Sequence, residues 1–122
     1  MQDQKITAVF GSSEKPMRFS NKAINKLRRY GYPVYALGLR AGKVADVEIQ
    51  TGMPSLDDVH TVTLYLGPKN QTQYYDYIKS LKPKRVIFNP GTENPEFAES
   101  LRNEGMEVVE YCTLVLLDTD QY

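Results

Sequence analysis

The residues best equipped for chemistry stand together near the start of the chain: Gly11-Ser12-Ser13, then Lys15 and Arg18, then Ser20 and Asn21. Small residues, hydroxyls and two cations placed between a buried run and a helix start form an anion site. Unpaired backbone N–H groups and the positive end of the helix dipole converge there, so a phosphate is the natural ligand. The spacing is not Gly-x-Gly-x-x-Gly, because only Gly11 holds a fingerprint glycine position and Ser13 stands where the second glycine would be. The plain alternative is an ordinary βα turn with solvated lysine and arginine. Against it, the run from Gly11 to Ser20 exceeds the ~2–6 residues usual for such a connection.

Other reactive side chains read more plainly. His60, the sole histidine, precedes a strand and so falls at the amino ends of the strands, away from a ligand crevice. Cys112 is the sole cysteine, with no histidine at hand to activate it and no partner for an internal disulfide. Asp57-Asp58 reads as a solvated helix cap, and no His or Cys cluster completes a metal site. No nucleophile–base pair is visible, so the sequence predicts neither catalytic residues nor a metal centre. Tyr74, Tyr75 and Tyr77 suit helix packing or a homodimer face better than base stacking.

Composition narrows the field. Fifteen basic and fifteen acidic residues balance, which argues against broad binding to nucleic acid or an anionic membrane surface. No apolar run approaches the ~20 residues that span a bilayer, and Gln2-Asp3-Gln4-Lys5 lacks the apolar core of a secretion signal. The expectation is a cytoplasmic protein whose residues 1–122 form a single domain.

The elements that must position the first loop follow from apolar patterning and helix punctuation. Ile6–Phe10 predicts a buried strand, and Ser20 an N-cap, with Phe19 and Ile24 as a hydrophobic staple. Gly31 and Pro33 end that helix, and Val34–Leu37 is the second strand. Gly38–His60 carries no strong helix signal, only a loop, a short strand near Val47–Ile49 and a turn at Ser55–Val59. Thr61–Leu66 is the third strand, Gln71–Leu81 a helix, and Arg85–Phe88 the fourth strand. Asn94 and Pro95 start a last helix that ends at Gly105, and Glu107–Tyr111 is the fifth strand. The tail Leu114–Leu117 is apolar enough for core, strand or partner surface. This alternation predicts an α/β, Rossmann-like three-layer sandwich with a five-stranded, mainly parallel sheet of order 3-2-1-4-5. In that order the ligand crevice lies between the loops after strands one and four, Gly11–Ser20 and Asn89–Glu93.

Several stretches together resemble one family, the small stand-alone CoA-binding proteins, whose single Rossmann domain is similar to the nucleotide-binding domain of succinyl-CoA synthetase. They are Val9-Phe10-Gly11-Ser12-Ser13 with Lys15-Pro16, Ser20-Asn21, Gly31-Tyr32-Pro33-Val34-Tyr35-Ala36, Pro54-Ser55-Leu56, and Gly91-Thr92-Glu93-Asn94. The resemblance implies coenzyme A or an acyl-CoA as ligand. It puts the diphosphate at Gly11, Ser12, Ser13, Lys15 and Arg18, with Ser20 and Asn21 at the helix start. The adenosine falls near Arg40 and Lys43, with Leu66 and Pro68 alongside and Gly91 facing them. The chain departs from the family pattern at Gly38-Leu39, where Asn-Pro is usual, at Ile87 and Asn89, where Trp and Gln are usual, and at Cys112-Thr113, where Cys-Pro is usual.

The second loop bears on the same question. An NAD-binding domain wants an acid ~20 residues past the glycine loop, whereas an arginine suits an added phosphate. Leu37-Gly38-Leu39-Arg40 offers no acid, which fits the 3′-phosphate of CoA and would fit NADP too. The expected function is non-catalytic CoA binding. The alternatives are a subunit of an NADP-linked or other nucleotide-dependent enzyme, or an interaction module with an empty pocket.

Overall fold

In chain order the elements are β1 (Thr7–Phe10), α1 (Phe19–Arg29), β2 (Val34–Leu37), β3 (Gly42–Val44), β4 (Val47–Gln50), β5 (Thr61–Leu64), α2 (Pro68–Gln71), α3 (Tyr75–Leu81), β6 (Arg85–Phe88), α4 (Pro95–Asn103), β7 (Glu107–Glu110) and α5 (Thr113–Asp118). They belong to a computed structural model that describes residues 5–122. The polar start at Gln2-Asp3-Gln4 lies outside the described residues.

Strands β1, β5 and β6 are buried at every position, as strands covered on both faces must be. Successive side chains of β1 and β6 go to opposite sides. Phe10 and Phe88 join Leu64, Ile78, Phe97 and Leu101 in one core, while Val9 and Ile87 join Ile24, Leu27, Leu116 and Leu117 in the other. Helices α3 and α4 thus cover one face and α1 and α5 the other, which gives the expected three layers.

The sheet itself corrects two expectations. It has seven strands rather than five, in the order β3-β4-β2-β1-β5-β6-β7, with only the β3–β4 pair antiparallel. The strand at Thr61 does not lie beside β2; it pairs with β1 in the register Thr7↔Thr61 to Phe10↔Leu64. The place beside β2 belongs to β4, which pairs Ala36↔Ile49.

Burial explains the exchange. In β4, Val47 and Ile49 are buried and Glu48 is exposed, the alternation of a strand with one wet face, which suits a sheet margin. Thr61–Leu64 is buried throughout and takes the interior place next to β1. The margin closes with a two-residue turn in which Ala45 adopts φ 55 between the paired Val44 and Val47. With no glycine or asparagine in that turn, the hairpin lacked its usual signature.

Helix ends agree in part with their punctuation. Gly31, at φ 85, donates its N–H to Arg28 O while Tyr32 N–H reaches Leu27 O, a Schellman ending for α1. Asn94 Oδ1 accepts from Phe97 N–H at 3.1 Å and Pro95 opens α4. Ser20, however, caps nothing. Arg18 N–H donates to Lys15 O at 3.0 Å, so the helix starts two residues early. Arg18 becomes the N-cap, without a side-chain bond, and Ser20 is buried inside the first turn. Phe19 is 64% exposed and staples nothing.

The helix expected over Gln71–Leu81 is split by a 3₁₀ turn at Thr72–Tyr74. Gln71 is fully buried, and its Nε2 donates to Leu66 O and Thr92 O at 2.8 Å each, which pins the chain at the break. The tyrosines there are packing residues. Tyr74 and Tyr77 set their rings edge-on to Phe10, and Tyr75 stacks on Phe97 at 4.1 Å. Asp57 and Asp58 are exposed on an irregular segment that bends at Asp58, φ 55, and cap no helix. The apolar tail is α5, which buries Leu116 and Leu117 in the core. Among the described residues, no helix is long and apolar enough to cross a membrane.

Candidate functional site

The order of the strands decides where the site lies. Strand order reverses between β1 and β5, so the crevice opens between the loops that follow those two strands, with the loop after β2 on its third side. The expectation that the loop after Arg85–Phe88 would face the first loop is corrected, because β5 stands between.

The loop after β1 is fastened from several sides. Gly11 turns the chain at φ 86, and a Cβ there would stand 2.9 Å from Tyr65 O and 3.2 Å from Leu66 Cδ2, so only glycine lets the two loops approach. The N–H groups of Gly11 and Ser12 both donate to Leu37 O, at 3.0 and 2.8 Å. Ser12 is buried and its hydroxyl donates to Val9 O at 2.9 Å. Asn21 Nδ2 donates to Ser13 O at 2.9 Å, tying α1 to the loop. Ser13 Oγ accepts from Lys15 N–H at 3.1 Å.

These bonds amend the expected phosphate cradle. Gly11 and Ser12 have already given their N–H groups, and Ser12 its hydroxyl, to the end of β2 and to β1. Their work is to hold the loop. The donors still open among the described residues are the N–H groups of Ser13 and Glu14, the Ser13 hydroxyl, and the first N–H groups of α1.

Above them is a cavity of about 470 Å³, within the ~300–1,000 Å³ usual for small-molecule sites. Gly11, Ser12, Ser13, Glu14, Lys15 and Arg18 line it from the first loop. Leu39, Arg40 and Ala41 line it after β2, and Tyr65, Leu66, Gly67 and Asn70 after β5. A smaller hollow of about 100 Å³ continues past Gly11 and Leu66 toward Phe10, Leu37 and Tyr74.

The structure therefore brings together Gly11, Ser12, Ser13, Lys15, Arg18, Arg40 and Leu66. Asn21 holds the loop from beneath through Ser13 O, and Ser20 is buried in the first turn of α1 and does not line the cavity. Lys43 does not line the cavity; its N–H donates to Glu14 Oε2 at 2.8 Å. Pro68 opens α2 just beyond the lining residue Gly67. Gly91 lies in the loop after β6, where its N–H donates to Glu93 Oε1, and it does not reach the cavity. Sequence reasoning missed Glu14, Leu39, Ala41, Tyr65, Gly67 and Asn70. Placing Thr61–Leu64 beside β1 would have found the last three.

The departures from the family pattern have structural uses. Gly38 sits against the first loop, where a Cβ would meet Ser12 O at 2.5 Å. Asn89 is 2% exposed and holds three groups: its Nδ2 donates to Thr63 Oγ1 and Leu64 O, and its Oδ1 accepts from Thr113 N–H. Thr63 and Thr113 hydroxyls meet at 2.8 Å. Asn89 thus ties β5 and β6 to the start of α5, and Cys112, half-buried, is the residue before that helix. Tyr65 reaches the same region, and burial pushes its phenol well above the ordinary tyrosine range.

His60 lies at the amino ends of the strands. Its Nδ1 meets Thr61 Oγ1 at 2.8 Å, and burial, with Arg85, Lys5 and Lys84 nearby, holds its pKa below the usual value. Arg85 is buried beneath it, with Nε donating to Thr61 Oγ1 and the guanidinium 4.4 Å from the centre of the Tyr122 ring.

The model of a CoA binding domain family matches residues 5–118. Among curated proteins, no sequence matches significantly. A crystal structure of an uncharacterized protein is 41% identical, with a TM-score of 0.95 over 99% of this chain and 100% of its own. A protein from Thermus thermophilus is 21% identical, with a TM-score of 0.86 over 98% of this chain and 91% of its own. A dinucleotide-forming acetyl-coenzyme A synthetase from Ca. Korarchaeum cryptofilum, in complex with phosphate and ADP, is 18% identical, with a TM-score of 0.72 over 88% of this chain and 25% of its own. The last two likenesses are likenesses of fold. The chain belongs to the CoA binding domain family.

Proposed function

We propose that this member of the CoA binding domain family holds coenzyme A or an acyl-CoA in the cavity between the loops after β1, β2 and β5, as a single non-catalytic domain. The observation that carries the reading is the convergence of Lys15, Arg18 and Arg40 on one cavity that also meets the open N–H groups of Ser13 and Glu14. A diphosphate answers that arrangement. Fixed N–H donors and the α1 dipole take its oxygens, and Lys15 and Arg18 supply charge-assisted bonds. Arg40 and the exposed Leu39 then meet the adenosine end, and Leu66 gives an apolar wall. Neither His60 nor Cys112 lines the cavity, so the reading gives them no part in chemistry on the ligand.

The test is calorimetric titration of CoA, acetyl-CoA, NADP and ADP into the purified protein and into a Lys15→Ala, Arg18→Ala double variant. CoA and acetyl-CoA bind, and the double variant loses about tenfold or more in affinity, as expected for two charge-assisted contacts of ~1 kcal/mol or more each. Binding of NADP but not CoA overturns the reading. Equal CoA affinity in the double variant moves the ligand out of this cavity.

A further inference from the structure

An acid is absent from the end of β2, yet a carboxylate reaches the cavity from another loop, against the start of β3. Glu14 lines the cavity from the loop after β1, and its Oε2 accepts from the Lys43 N–H on β3 at 2.8 Å. The fit is two-sided. A Cβ on Gly42 would stand 2.3 Å from Glu14 Cδ and 2.7 Å from its Oε1, so glycine at that position leaves the space that the carboxylate fills. Oε1 has no protein donor among the described residues and is free to accept from a ligand.

We propose that Glu14 is a specificity residue for the ribose of the ligand. Its carboxylate occupies the Lys43 N–H, which a ribose phosphate would otherwise take, and it puts a negative charge into the cavity that Arg40 lines. A phosphate entering there must displace or face that carboxylate, at a cost. A ribose with free hydroxyls does not, because a hydroxyl donates to Oε1. The inference rests on the CoA reading of this cavity and refines it: diphosphate and base carry the affinity, and the 3′-phosphate adds little. Discrimination here comes from a repulsive group as much as from an attractive one.

The test is titration of CoA and dephospho-CoA into the natural protein, Glu14→Gln and Glu14→Ala at one low ionic strength. The natural protein binds the two ligands within about threefold of each other, since an opposing charge offsets the gain from Arg40. Glu14→Gln removes the charge but still accepts from Lys43 N–H, and it raises the affinity for CoA about threefold. Glu14→Ala frees the donor as well, raises it about tenfold, and leaves dephospho-CoA unchanged or weaker. A natural protein that already prefers CoA by tenfold, or variants that leave the ratio of the two affinities unaltered, overturns the inference while CoA binding stands. Binding of neither ligand by any of the three proteins overturns the CoA reading and this inference with it.

Discussion

The α-carbon of Gly38 approaches the Ser12 carbonyl so closely that a Cβ at position 38 would stand 2.5 Å from its oxygen. The backbone at Gly38 is not in the left-handed region, so the constraint is space alone. Gly38→Ala must push Ser12, and with it the first loop, off its place. The expected result is a loss of about 1–3 kcal/mol in stability, the range for overpacking, with weaker ligand binding. Urea denaturation and titration of the same sample measure both. Gly31→Ala is the control: nothing stands within 4 Å of its Cβ but its φ is +85°, so it costs about 1 kcal/mol of backbone strain and leaves binding alone.

Asn89 makes three buried bonds that no other amino acid reproduces together. Asn89→Leu leaves Thr113 N–H and Leu64 O buried without this partner, and a loss of about 2–6 kcal/mol follows, at ~1–3 kcal/mol for each stranded group. Since Asn89 does not line the cavity, ligand affinity measured well below the melting temperature stays within about twofold. A large loss of affinity at full folding would show that α5 shapes the site.

Tyr65 buries its hydroxyl beside Thr113 and Thr63 without a well-formed hydrogen bond among the described residues. Tyr65→Phe removes an unsatisfied polar group and keeps the ring. Stability should be equal to or higher than that of the natural protein, by up to about 1 kcal/mol. A loss of that size would mean that the hydroxyl is bonded in solution.

His60 makes stability depend on pH in a definite direction. Burial first, and then Arg85, Lys5 and Lys84, lower its pKa in the folded state below the usual 6.5. The unfolded chain therefore binds the proton more readily. The contribution of neutral His60 is fully present above about pH 6.5 and is lost as pH falls from there through the lowered folded value. His60→Gln should flatten this part of the profile of denaturation midpoint against pH. An unchanged profile would assign the dependence to other groups.

What the sequence made legible was local. Gly31 with Pro33 and Asn94 with Pro95 mark helix ends because the chemistry of a cap is contained in a few neighbouring residues. Thr7–Phe10 and Arg85–Phe88 were visible as strands because both faces are buried. Strand order was not legible, since nothing in Thr61–Leu64 says which edge of the sheet it joins; that is settled by burial on all sides against residues far away in the chain. The hairpin at Ala45-Asp46 was hidden by a turn with neither glycine nor asparagine. In the site, the cations at Lys15, Arg18 and Arg40 were readable from type and position. Nothing local shows that the Gly11 and Ser12 N–H groups belong to Leu37 O, nor that Glu14 reaches Lys43, because both are contacts across loops.

The position of β1 between β2 and β5 also governs how the chain comes together during synthesis. Its first neighbour begins at Val34 and its second only at Thr61. Until Leu64 has left the ribosome, one edge of a strand buried on both faces has no partner, and parallel pairing over such separations is slow to form. The nascent chain passes through a stage with an open, sticky edge on its central strand, the stage at which chaperone capture or aggregation competes with folding. The loop after β1 is in place only when that edge closes, since Gly11 packs on Tyr65. Closure of the β1–β5 seam and placement of that loop are therefore one event.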